Sequence, residues 1–63
     1  MLELIQKFCT EQNVTIEQFE RVIKVSPGYV YKLKDHQPGM AIARKLAVIL
    51  GMSLEDIHEL YMG

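Results

Sequence analysis

A lone cysteine, Cys9, cannot close a disulfide within the chain, so no internal covalent staple holds these 63 residues and a reducing compartment suits them. Tryptophan is absent, and the two prolines and four glycines are too scattered for a linker or a low-complexity tract. No apolar run approaches the length of a membrane span, and no charged-then-apolar leader opens the sequence; the cytoplasm is the expected location. Alternating β-branched runs are missing as well, so strands are not expected. Catalytic signatures are wanting too. There is no glycine-rich phosphate loop and no Ser/His/Asp arrangement, and Glu55 and Asp56 open a helix, where carboxylates complement the dipole. His36 and His58 stand without a zinc-like ligand set, and Cys9 lacks a neighbouring base. Neither an enzyme, a metal nor a cofactor is expected.

What the sequence does hold is apolar periodicity at helical spacing. Hydrophobic residues make up 49% of it, enough for one all-α domain over 1–63. The first helix is expected over about 1–12, with Leu2, Ile5, Phe8 and Cys9 on one stripe and Asn13 as a left-handed C-cap. Val14 is placed to staple onto Phe19. The organising stretch is 15–34. Thr15 and Gln18 form a capping box, and Ile16, Phe19, Val22 and Ile23 then fall at i, i+3, i+6 and i+7. Ser26 reads as the N-cap of a further helix, with Pro27 at its first position, where a missing N–H costs nothing. Tyr29, Val30 and Leu33 give that helix an inner face. Two short helices joined at Lys24-Val25 read as a helix-turn-helix.

Pro38-Gly39 marks a loop over 35–39. The fourth helix, 40–50, carries Ile42, Ala43, Leu46, Ala47, Ile49 and Leu50 and is expected at the centre of the core, with Gly51 ending it. Ser53 and Asp56 pair as a second cap, and Leu54, Ile57, Leu60 and Tyr61 line a fifth helix.

Val14-Thr15, Val25-Ser26-Pro27, Tyr29-Val30, Lys32-Leu33 and the run Leu46-Ala47-Val48-Ile49-Leu50-Gly51-Met52-Ser53-Leu54 resemble the phage repressor and Cro-type (XRE-like, lambda repressor-like) helix-turn-helix family, in its order of five helices. An LAxxLGxS run behind a helix-turn-helix carries most of that likeness. The resemblance implies a five-helix DNA-binding domain of a bacterial or phage transcriptional regulator. It further implies a homodimer on double-stranded DNA, with the helix over 26–34 in the major groove. Carried over position by position, Ser26, Pro27, Gly28, Tyr31 and Lys32 face DNA; Lys34, a cation at the end of the same stretch, is expected to hold phosphate. The chemistry fits several of them. Lys32 can donate to guanine O6/N7 or to phosphate, and Tyr31 can donate its hydroxyl or pack on a thymine methyl. Ser26 suits a phosphate oxygen. Pro27 and Gly28 have no side-chain donors and would serve close approach.

Several positions depart from the family's pattern. Ile16 stands where a phosphate-binding Gln is usual, Glu20 where a small residue is usual, and Lys24 at the customary turn glycine, which asks a non-glycine for positive φ. Cys9 and Lys34 occupy the places of a common Arg–Glu ion pair, and the loop carries Asp35 and His36 instead of a basic cluster. Net charge is −1 and pI about 6.0, so phosphate binding would rest on charge segregated by face. These features favour a second reading, the same fold as a protein-binding module: an antirepressor, an inhibitor of a phage-defence complex or an adaptor, using Ile16 and Tyr31. Leu60, Tyr61 and Met62 are expected to form a dimer seam.

Overall fold

Five helices and no strand make up the regular structure of residues 1–61, the residues that the computed structural model describes: α1 (Leu2–Glu11), α2 (Ile16–Val22), α3 (Tyr29–Lys32), α4 (Met40–Leu50) and α5 (Leu54–Glu59). Both expected capping boxes form. The Thr15 hydroxyl accepts from the Gln18 N–H (3.1 Å) while Gln18 Oε1 accepts from the Thr15 N–H (2.8 Å). Ser53 and Asp56 repeat the exchange at the start of α5, at 3.0 and 3.2 Å. Each box satisfies two backbone donors that a helix start leaves orphaned.

Three helices end alike. Asn13, Lys24 and Gly51 take positive φ (56°, 59° and 68°). The next N–H then reaches back over the last turn: Val14 to the Cys9 carbonyl (2.9 Å), Val25 to Glu20 (3.0 Å) and Met52 to Ala47 (2.9 Å). This is the Schellman closure, which consumes carbonyls that would otherwise lack donors. Lys24 thus adopts the left-handed geometry that its position demands, without being a glycine.

α1, α2 and α3 pack on one another, and α4 packs chiefly on α5. The halves share a core of Ile5, Cys9, Phe19, Ile23, Val30, Leu33, Ala43, Leu46 and Ile57. Phe8 meets Phe19 edge-to-face, with ring centroids 5.8 Å apart. Burial pushes the Cys9 thiol above its ordinary value, as befits a small core residue.

The expected central place of α4 needs correction. Only Ala43 and Leu46 are buried, while Ile42, Ala47, Ile49 and Leu50 are half-covered and Val48 is exposed. An apolar composition sets how much surface wants cover, not which neighbours supply it. The expected seam at the end of the chain also divides. Leu60 is exposed, Tyr61 turns its hydroxyl onto the Leu33 carbonyl (2.8 Å), and Met62 lies outside the described residues. Among the described residues no helix is long and apolar enough to cross a membrane.

Candidate nucleic-acid interface

The connection from α2 to α3 is where the structure differs most from the sequence expectation. A helix over 26–34 with Ser26 as its cap does not form; α3 spans only Tyr29–Lys32, and its N-cap is Gly28. The reason lies in Pro27-Gly28. The Ser26 carbonyl accepts from the Tyr29 N–H (3.0 Å), and Gly28 sits at φ 88°, ψ −7°. Proline followed by a left-handed glycine inside such a bond is a type II turn, and the positive φ requires the glycine. Pro27 therefore opens a turn, not a helix. The Pro-Gly dipeptide was the available signal, the same one that marks Pro38-Gly39.

Gly28 has no side chain with which to cap α3. Glu20 does this from α2. Its side chain is only 2% exposed, and Oε2 accepts from the Val30 N–H (3.0 Å). Val30 is the second residue of α3, so the carboxylate meets one of the free N–H groups at the positive end of that helix. Among the described residues no buried side-chain polar atom lacks a partner. Where the resembling family places a small residue, this chain spends a buried acid on holding α3 to α2.

Around this junction the polar ties run inward. Lys45 Nζ of α4 donates to the Ile23 carbonyl (3.1 Å) and places a cation at the C-terminal end of α2, where the dipole favours it. Tyr61 donates to Leu33 at the far end of α3. Burial, with Tyr29 close by, raises the Tyr61 phenol above its ordinary value. α3 is short, but it is tied at its start by Glu20 and at its end by Tyr61.

The outward face is set by the same periodicity that buries Val30 and Leu33. Tyr31 is 56% exposed, and Ser26, Pro27 and Lys32 are exposed beside a half-covered Gly28. Those five lie along the Pro27-Gly28 turn and α3, with half-buried Tyr29 and buried Val30 between them. Lys34, exposed two residues beyond Lys32, also lines a groove with Leu2, Glu3, Leu4 and Leu60. Charge along the chain is uneven. Of the seven Lys and Arg, all but Lys7 lie within 21–45, where Asp35 is the one acid. Arg44 and Lys45 of α4 line a groove with Val22 and Ile23, which brings them to the end of α2 next to the Lys24 turn. Among the described residues no group of three His, Cys, Asp or Glu could hold a metal ion.

No protein-family model, curated protein or solved structure matches this chain, so the candidate interface stands on its own geometry.

Proposed function

We propose that this chain is a sequence-specific DNA-binding regulator of the repressor/Cro helix-turn-helix type, with α3 and its preceding turn set in the major groove. The observation that carries this reading is the stretch from Ser26 to Lys32, exposed on one side and anchored on the other by Glu20. It lies in the one segment of the chain with a clear basic excess. Lys32 and Tyr31 would touch base edges or phosphates, and Ser26 would hold a phosphate oxygen while Gly28 lets the backbone come close. Arg21 and Lys24 supply further positive charge at the end of α2, which answers the chain's net charge of −1.

Dimerisation fits the groove between α1 and Leu60. Glu3 and Lys34 both line it, beside Leu2 and Leu4, so two copies related by a two-fold axis can pair the acid of one with the base of the other. Half-sites would then lie about 34 Å apart.

The decisive experiment is a low-salt titration of the labelled protein with a mixed-sequence duplex, following amide shifts. Shifts centred on Ser26 to Lys32 that fade as salt rises support the reading. A folded protein that shows none refutes it and favours the protein-binding alternative. Lys32→Ala should weaken DNA binding about ten-fold with an unchanged melting temperature, since Lys32 is solvent-exposed.

A further inference from the structure

Two adjoining grooves share Val22 and Ile49. One is floored by Phe8 and Phe19 with Val14 at its edge, and the other sets Val48 beside Arg44 and Lys45. Val22 is 69% and Val48 83% exposed, the barest large apolar side chains among the described residues. Valine is a poor choice for a solvent-facing helix position, because it loses rotamer freedom against the preceding turn and gains no packing there. A single bare valine is ordinary, whereas two that border adjoining, mostly apolar grooves are the mark of a contact surface.

Charge decides what fits. Among the described residues, the charged side chains lining the two grooves are Arg44 and Lys45, and no carboxylate lines either one. We propose that this surface docks an acidic amphipathic segment of another protein, with apolar side chains laid over Val22, Val48 and Ile49 and carboxylates meeting Arg44 and Lys45. Lys45 gives one N–H to the Ile23 carbonyl, and its ammonium has donors left for a carboxylate. A second copy of this chain suits the surface poorly, because a two-fold interface here would offer cations and no acid to pair with them. The Glu3/Lys34 groove, with both signs present, is the self-complementary one. A nucleic-acid backbone would satisfy the cations but press phosphates against bare valines. The inference does not depend on DNA binding, since Ser26 to Lys32 line neither groove.

The test is an amide-shift titration of the whole protein with a synthetic helical peptide carrying leucines on one face and aspartates on the other. A scrambled peptide of the same composition serves as control. The expected result is shifts at Val14, Val22, Arg44, Val48 and Ile49, with the scrambled peptide about ten-fold weaker. Val48→Glu and Arg44→Glu alter exposed positions and should keep the circular dichroism spectrum, while each lowers affinity about ten-fold. Equal binding of the scrambled peptide or of either variant overturns the proposal. So does a shift pattern centred on Ser26 to Lys32, displacement of the peptide by a DNA duplex, or self-association that Val48→Glu abolishes in sedimentation. Peptide binding by a protein silent towards DNA would sink the regulator reading and leave this one standing.

Discussion

Two connections in this molecule solve the same problem with different materials. Both α2 to α3 and α4 to α5 begin with a left-handed residue and a Schellman closure, Lys24 in one and Gly51 in the other. From there they diverge. After Gly51 the chain restarts a helix with a cap made by its own neighbours, Ser53 and Asp56. After Lys24 it takes a non-glycine into positive φ, makes a type II turn at Pro27-Gly28, and draws its cap from Glu20. The first connection is local and unstrained. The second is held by tertiary structure, and it leads into the stretch proposed to read DNA. Geometry imposed by the rest of the fold, not by local preference, is what positions a short helix rigidly.

The contrast can be broken at Glu20. Glu20→Ala should cost about 2–3 kcal/mol in urea unfolding, because it strands the buried Val30 N–H and leaves a void. Glu20→Gln keeps an acceptor and should cost less than half as much. A loss in Glu20→Ala no larger than that of an ordinary surface change would show that the carboxylate does not hold α3. Ser53→Ala, the corresponding change in the other connection, should cost about 1 kcal/mol, the value of a local cap.

Opposite signs are expected at the two left-handed residues. Gly51→Ala has open space for its Cβ, so its cost of about 1 kcal/mol is one of backbone conformation alone. Lys24→Gly relieves the same strain and should raise stability by about 0.5–1 kcal/mol. Thermal melts of the pair sharpen the comparison. Equal destabilisation by both would refute it.

The smallest effect concerns the far end of α3. Tyr61→Phe removes the bond to Leu33 and should cost about 0.5–1 kcal/mol at neutral pH. The Tyr61 phenol is raised above 10.0 in the folded chain. Above that pH the unfolded chain sheds a proton that the native state keeps, so this contribution is intact below pH 10 and is lost as the pH climbs through the folded value. Denaturant midpoints of wild type and Tyr61→Phe should therefore converge in alkali.

The local connection was legible in the sequence and the tertiary one was not. Thr15/Gln18, Ser53/Asp56, Asn13 and Gly51 act on residues a few positions away, so their residue types announce their roles. The inner face of α3 was likewise readable from spacing, since Val30 and Leu33 are buried and Tyr31 and Lys32 exposed. Pro27 misled because proline suits both the first turn of a helix and the second position of a type II turn, and the glycine after it decides between them. Glu20 could not be read at all. An acid on a helix face reads as solvated until its partner, on another element, is known. The apolar richness of α4 suggests centrality, yet much of it lies half-covered beside Val48.

Cys9 gives the molecule one more property. Its thiol lies in the core and burial favours its protonated form, so no thiolate can reach and attack a disulfide reagent in solution while the fold is closed. Modification must wait for the core to part. The rate at which a chromogenic disulfide consumes this one thiol is then a clock for the opening of the α1–α2–α3 cluster, built into the native chain and read without any added label.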